Sequence, residues 1–371
     1  MSVIEPVLLL SITRDVSVVD AADAVRFTVT VRHAANSTST AYGTRLVLDS
    51  LVSNKLNLVA GSVVFSGTSI GGSVLTGNGV GDDSIVAVLP LYAVDGVGSG
   101  DVTLVFDAIV ANTVTIADRL NGAVQLTYTS SPFNVDGNVG GSVTLNAVTS
   151  VTSRLMYSIS TISVRNISVP LESLQFPTVS IGEVVELKVR LTFGEGTSRR
   201  SNFTFSLPSY NGQVGTGTLA VLNSRVEDIG SSLSFASAGA ASSVGAAGIH
   251  SNIKTVADGL IDTVVFDFGT VVNAGDNVMT GGDEIVVSVT ALAANVASNR
   301  AGVWLNSTGS FNFGTGSTLV TSGGSTYSPL VASASLQLVD AYLNVSISSN
   351  VASVNSGDDV IYTIVISHLA S

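Results

Sequence analysis

The sequence has no cysteine, and this absence excludes disulfide cross-links, thiolate metal sites and cysteine nucleophiles. Charge is also scarce: charged residues are 11% of the 371 positions, against about 25% in ordinary soluble domains. Lysine occurs only at Lys55, Lys188 and Lys254, and the net charge is −12. Because no basic run is present to neutralise phosphates, we expect no nucleic-acid partner.

Long apolar runs and aromatic residues are lacking too. No stretch of about 18 uninterrupted apolar residues occurs, so the sequence predicts no membrane-spanning helix. Residues 1–6 lack the basic and apolar regions of a signal peptide, which is typical of a mature chain or an excised fragment. Aromatic residues are only 6% of the chain, with a single tryptophan, so few rings are available to stack on sugars.

The chain is instead filled with short runs in which apolar and polar residues alternate, separated by Gly, Asn, Asp and Ser. Such alternation predicts β-strands with one buried face, because successive side chains of a strand point to opposite sides. In one run the apolar residues are predicted to face a core and the intervening residues to face water: Val25, Phe27, Val29 and Val31 against Arg26, Thr28, Thr30 and Arg32.

That run has two counterparts, and all three follow an acidic residue in a predicted turn. They begin at Asp23, Glu183 and Asp358, and each carries apolar residues at the same four alternating positions. Later segments of the first two copies match in the same order: Val102, Leu104, Phe106 and Ala108 correspond to Ile285, Val287, Val289 and Ala291, and Val124 and Leu126 correspond to Val303 and Leu305. Several matches in one order indicate internal duplication.

The duplication predicts an all-β protein of tandem β-sandwich modules. We place a first module at residues 1–150 and a second at 151–338, lengths that suit independent domains. The third copy occupies residues 339–371 and holds only a few strands, too few to bury a sandwich core. It is therefore either a partial third module, which we favour, or a set of strands donated to a neighbour.

The acidic-turn runs resemble a known family. The segment Gly357-Asp358-Asp359-Val360-Ile361-Tyr362-Thr363-Ile364-Val365-Ile366 is similar to the "conserved repeat" domain of bacterial cell-surface proteins, and residues 22–31 resemble it more loosely. His33 and His368 stand where that family usually has Asn. The resemblance implies an immunoglobulin-like sandwich in tandem arrays on adhesins, stalks and envelope proteins, and it implies no catalytic residues.

Catalytic constellations are not evident. The histidines are His33, His250 and His368, and the first and last occupy equivalent strand ends in two copies, which favours a structural role. The one Gly-x-Ser-x-Gly run, Gly67-Thr68-Ser69-Ile70-Gly71, lies in a Gly/Ser-rich stretch that precedes no predicted helix, so it does not have the strand-to-helix context of a nucleophile elbow. No phosphate-binding Gly-Lys-Ser/Thr ending occurs. We therefore expect that the protein is not an enzyme and has no resident cofactor.

Calcium is the best metal candidate, because carboxylate and carbonyl oxygens are its preferred ligands. The candidates are Asp20 and Asp23 near the start of one copy, and Asp358 and Asp359 near the start of another. No Asp-x-Asp ligand motif occurs, and an acidic residue that closes a turn is the simpler interpretation of each.

These observations favour a structural subunit or stalk segment of an extracellular fibre, envelope layer or adhesin at the cell surface. Its expected partners are copies of itself or neighbouring modules, since the low charge leaves apolar surface to be covered. The alternative is an adhesin-type module that recognises a glycan or protein through loops at one end of a sandwich.

Overall fold

The computed structural model describes residues 5–49, 51, 55–67, 72–93, 100–131, 142–168, 178–208, 217–235, 250–255, 261–313, 319–320, 326–327, 329–339 and 343–368. Within them the chain is almost entirely β-structure, as the alternating pattern predicts, and its regular helix is one short 3-10 turn at Gly281–Asp283.

The strands fall into three groups along the chain. The first group is β1 (Leu8–Arg14), β2 (Val18–Val19), β3 (Ala24–His33), β4 (Ala41–Leu48), β5 (Leu56–Leu58), β6 (Val64–Ser66), β7 (Ser73–Thr76), β8 (Ile85–Tyr92), β9 (Val102–Val110), β10 (Arg119–Thr129) and β11 (Val143–Ser153). The second is β12 (Ser158–Ile159), β13 (Ser163–Asn166), β14 (Thr178–Val179), β15 (Val184–Thr192), β16 (Gly196–Ser206), β17 (Leu219–Ile229), β18 (Leu233–Phe235), β19 (His250–Thr255), β20 (Ile261–Asn273), β21 (Glu284–Ala293), β22 (Trp304–Asn312), β23 (Leu319–Val320), β24 (Thr326–Tyr327) and β25 (Leu330–Leu338). The third is β26 (Leu343–Ser349) and β27 (Tyr362–His368).

The first group forms two sheets. Sheet I has the order β1-β3-β9-β5, with β6 also paired to β9, and sheet II has the order β2-β11-β10-β4-β8-β7. The inward residues of both sheets share one buried apolar cluster that extends from Leu8 to Leu155. The sheets approach closely at Gly122 of β10, where a β-carbon would lie 2.9 Å from the ring of Phe27 on β3. The result is a β-sandwich.

The second group repeats this arrangement. Sheet III has the order β12-β15-β21-β17, with β13 also on β15, and sheet IV has the order β14-β25-β22-β16-β20-β18, with β19 on β20. Their apolar cluster extends from Ile162 to Leu338. Phe193, which follows β15, packs edge-on against Phe311 of β22 with ring centroids 5.1 Å apart. This contact bridges the two layers, so the second group is also a β-sandwich. The strand order that the two groups share is immunoglobulin-like.

The two sandwiches share a strand register. Phe27 on β3 lies opposite Phe106 on β9, and Leu187 on β15 lies opposite Val289 on β21. The core positions predicted from the sequence are fully buried or nearly so in both copies: Val25, Phe27, Val29 and Val31 in the first, and Val185, Leu187, Val189 and Leu191 in the second. The prediction of these strands and of their inward faces is confirmed.

In each sandwich, the first strands of the chain belong to one sheet and the next strand belongs to the other. The chain passes from β1 in sheet I to β2, which runs parallel to β11 in sheet II. In the second sandwich it passes from β13 in sheet III to β14, which runs parallel to β25 in sheet IV. Strand β11 continues to Ser153, past the residue 150 where we place the end of the first module. The module boundaries stay a prediction.

Strands β26 and β27 form a separate two-stranded antiparallel sheet. Their side chains, where described, are mostly exposed on both faces, including Val345, Ile347 and Ile364. A hairpin of this kind has no core of its own.

Candidate functional site

The three acidic residues that open the repeated runs perform one structural task. Each carboxylate accepts a hydrogen bond from the backbone N–H three positions earlier: Asp23 from Asp20 at 2.9 Å, Glu183 from Ser180 at 2.7 Å and Asp358 from Asn355 at 2.8 Å. The residue before each acid has a positive φ, of 65° at Ala22, 89° at Gly182 and 96° at Gly357. An acidic side chain that caps a left-handed turn accounts for this pattern.

The calcium candidates lie in two of these turns. Asp20 and Asp23 share the turn between β2 and β3, and Asp358 and Asp359 lie in the turn before β27. The structure thus brings each pair together but places the two pairs in different sheets. Among the described residues, no group of three or more His, Asp or Glu side chains could hold a metal ion. Calcium binding at the four residues stays a prediction.

The first of these turns lies against the second sandwich. The backbone N–H of Ala21 donates to the carbonyl of Glu195 at 3.5 Å, and the side-chain amide of Asn277 donates to the carbonyl of Ala22 at 3.5 Å. The residues after β9 add two stronger contacts, because Thr197 donates its N–H to Val114 at 2.7 Å and its hydroxyl to the carbonyl of Asn112 at 2.8 Å. We call this set of contacts the junction.

Glycine permits the close approach at the junction. A β-carbon on Gly275 would lie 2.6 Å from the backbone of Ala21, and one on Gly196 would lie 2.8 Å from the carbonyl oxygen of Val114. Real β-carbons do not approach backbone atoms so closely, because these distances lie inside the van der Waals separation of non-bonded carbon atoms, about 3.5–4.0 Å. The junction therefore depends on small residues on the side of the second sandwich.

Carboxylates from both sandwiches meet there. Burial is the main cause that raises the pKa of Asp20 to about 7, and the neighbouring charges of Asp23 and Glu195 raise it further. Burial, together with Asp276, also raises the pKa of Glu195. One carboxylate oxygen of Glu195 accepts the N–H of Asp276 at 3.2 Å, and the other is buried without a hydrogen-bond partner. Negative charge at the junction is thus poorly compensated at neutral pH.

Sequence reasoning identified Asp20 but missed Glu195 and Asp276. The residues belong to separate segments of the chain, and neither segment carries a motif that marks a contact with Asp20. The signal that was available is Gly194 and Gly196 on either side of Glu195, since glycine beside an acid indicates a close approach of two backbones.

His33 fastens a strand end, as the sequence analysis expected. One ring nitrogen lies 2.8 Å from the hydroxyl of Ser37 and the other 3.2 Å from the carbonyl of Tyr92, on whose ring the imidazole packs at 4.6 Å. Ser37 in turn accepts the backbone N–H of Val7 at 3.0 Å and is buried. The group holds the start of β1 against the end of β3. The side chains of His250 and His368 lie outside the described residues.

No protein-family model matches the chain, and no curated protein matches it. The resemblance to the "conserved repeat" domain therefore rests on the motif residues alone.

Solved structures of bacterial surface proteins are similar at low identity. The C-terminal domain of the AgI/II polypeptide BspA from Streptococcus agalactiae is 11% identical, with a TM-score of 0.29 over 89% of this chain and 100% of that one. BcpA, the major pilin subunit of Bacillus cereus, is 11% identical, with a TM-score of 0.29 over 91% of this chain and 70% of that one. The Enterococcus faecalis MSCRAMM ACE is 9% identical, with a TM-score of 0.24 over 89% and 94%. Likenesses of this degree do not carry function from one protein to another.

Across the described residues, no helix has the length and apolar character needed to span a membrane.

Proposed function

We propose that this protein is a structural stalk segment of an extracellular surface fibre, envelope layer or adhesin, in which sandwich modules are joined end to end. The observation that carries the proposal is the junction. Two sandwiches with equivalent strand pairing are held together there by hydrogen bonds between the loops of one and the loops of the other. Duplicated modules with a specific contact between them can form an extended stalk that keeps its two ends at a fixed distance. Each module buries its own core.

The chemistry of the described residues agrees with a passive role. The three acidic turns carry hydrogen bonds that hold the backbone, and His33 fastens a strand end. A surface with few charged residues but many Ser and Thr hydroxyls stays hydrated without attracting nucleic acid.

Solution scattering from the 371-residue chain tests the architecture. We expect one elongated particle whose two sandwiches keep a fixed relative orientation at moderate ionic strength. A scattering curve that requires two bodies moving independently would contradict the proposal, because a stalk with a free joint cannot hold a distance. Protease treatment of intact source cells tests the location: a surface segment is cleaved while cytosolic proteins remain whole.

A binding role remains the second candidate, and Trp304 favours it. This residue, the one tryptophan of the chain, lies on β22 with 51% of its surface exposed, while Leu305 beside it is buried. An exposed indole is a suitable surface for stacking on a sugar. Titration of the chain with glycans, followed by isothermal titration calorimetry, distinguishes the candidates. A saturable heat of binding that disappears in Trp304→Ala supports binding, and the absence of any binding heat supports the passive role.

A further inference from the structure

The C-terminal hairpin reproduces the first two core strands of sheet I. In sheet I, Leu10 lies opposite Val31 and Ile12 lies opposite Val29. In the hairpin, Val345 lies opposite Ile366 and Ile347 lies opposite Ile364, so every paired residue is displaced by 335 positions (343 − 8 for the first residue of each first strand). The turn before β27 carries the same acidic cap as the turn before β3. The hairpin thus has the strand pairing of the β1–β3 portion of a sandwich.

One edge of this portion has no neighbouring strand among the residues that the structure describes. Strand β3 pairs with β1 on one side and with β9 on the other, and β15 likewise pairs with β21. Strand β27 pairs with β26, and no other pairing is found for it in the part of the chain that is described. An unpaired edge exposes a row of backbone N–H and C=O groups that can bind another strand.

The face that would become core is exposed as well. Phe27, Val29 and Val31 of β3 are completely buried. Their counterparts on β27 are Tyr362, Ile364 and Ile366, which are 65%, 61% and 65% exposed. Large apolar side chains grouped on one face of a strand indicate a surface made to be covered.

The two complete sandwiches show what covers it. Strands β9 and β21 each place alternate apolar residues against the acidic-turn strand, with an alanine opposite its first core position: Ala108 opposite Val25, and Ala291 opposite Val185. The next two partner residues along β9 are Phe106 and Leu104, and those along β21 are Val289 and Val287. The strand that fits β27 has this pattern and runs antiparallel to it.

We propose that the open edge and apolar face of β27 bind an extended strand of the β9 type, with apolar residues at alternate positions, that a partner molecule supplies. A folded second copy is a poor supplier, because β9 and β21 are already paired on both of their edges within their own sheets. The proposal concerns the hairpin alone and goes beyond the stalk role, so it stands or fails without regard to where the protein works.

The test uses the 371-residue chain and a peptide with the sequence of residues 101–110, Asp-Val-Thr-Leu-Val-Phe-Asp-Ala-Ile-Val, that carries a fluorophore. We expect saturable binding by fluorescence anisotropy and slower amide hydrogen exchange along β27. A peptide with Ser in place of Val102, Leu104 and Phe106 should bind at least tenfold more weakly, because it retains the backbone groups but loses the apolar face.

Two variants of the chain locate the site. Ile364→Asp places a charge on the face that the strand must cover and should weaken binding at least tenfold. Val365→Asp is the matched control: its side chain lies on the opposite face, at the position equivalent to Thr30, and binding should change less than threefold. Equal affinity of both variants would overturn the proposal, since the peptide would then bind elsewhere.

The hairpin must be folded for the test to count. Ser348 and Thr363 lie directly opposite each other, on the outward face of the two strands. The double variant Ser348→Cys, Thr363→Cys places two cysteines there in a chain that has no others, and a disulfide between them holds the strands in register. Absence of peptide binding to this oxidised variant overturns the proposal. Concentration-dependent self-association that Ile364→Asp abolishes also overturns it, because the occupant would then be a second copy.

Discussion

At the scale of single residues, Asp20 is a carboxyl group whose ionised form is unfavourable in the folded protein. Its carboxyl group is half-buried beside Asp23 and Glu195, and burial raises its pKa in the folded protein to about 7, well above the ordinary value of an aspartic acid, 3.8. Between these two pH values the folded state retains a proton that the unfolded state has lost. The free energy of unfolding therefore falls as the pH rises from about 4 to 7, and it is constant with respect to this group above that range.

The substitution Asp20→Asn should remove this dependence, because asparagine keeps the shape of the protonated acid and can donate to Asp23. We expect urea unfolding at pH 5 and at pH 8 to show a loss of stability with pH in the parent chain and a smaller loss in the variant. The variant should be the more stable protein at pH 8. Equal pH dependence of the two proteins would show that Asp20 is not the group that titrates.

Gly182 is the second residue with a clear expectation. It has a φ of 89°, and nothing lies within 4 Å of the position of an added β-carbon. The substitution Gly182→Ala therefore introduces backbone strain without a clash, and we expect the free energy of unfolding to fall by about 1 kcal/mol. Gly281→Ala is the control, because Gly281 has an ordinary φ and its nearest neighbour is 3.8 Å away. The free energies of unfolding of the two variants, measured by chemical denaturation, should differ by about 1 kcal/mol or slightly less.

At the scale of elements, the strands were predictable and their surroundings were not. Alternation along β3 and β15 identifies their inward residues, because a sheet with one covered face selects for it locally. The same alternation is present in β27, yet Tyr362 and Ile364 are exposed. A pattern states which face of a strand is apolar, and only contacts distant in sequence decide whether that face is covered. The junction escaped prediction for the same reason, since Asp20 and Glu195 belong to separate segments.

The equivalence of β3 and β27 gives a matched pair of substitutions. Phe27→Ala removes a ring that is stacked on Phe106 at 5.1 Å in the core, and it should lower the free energy of unfolding by roughly 3–5 kcal/mol. Tyr362→Ala alters the equivalent position of the hairpin and should change the stability of the chain by less than about 0.5 kcal/mol. Calorimetry of both variants checks this difference. A large effect of Tyr362→Ala would mean that the hairpin packs against the sandwiches.

At the scale of the whole molecule, the junction couples two bodies that each have a core. The substitution Gly275→Ala places a methyl group 2.6 Å from the backbone of Ala21 and must separate the turn from its neighbour. We expect both sandwiches to stay folded while the amide protons of Ala21 and Thr197 exchange at least tenfold faster. Gly281→Ala serves again as control. Unchanged exchange at these two amides would show that the junction tolerates the methyl group and does not depend on the glycine.

The short parallel strands at the two ends of each sandwich determine how the molecule responds to tension. A pull on the ends of the first sandwich enters through β1, reaches β2 next and leaves through β11. Strands β2 and β11 are parallel neighbours, with Val18 opposite Thr152 and Val19 opposite Ser153. The second sandwich has the same arrangement in β14 and β25, with Thr178 opposite Gln337. Parallel strands pulled from opposite ends slide along each other, so their hydrogen bonds are loaded together in shear and not broken one after another. Each sandwich is therefore closed by a clamp that resists pulling along the direction in which the chain is extended.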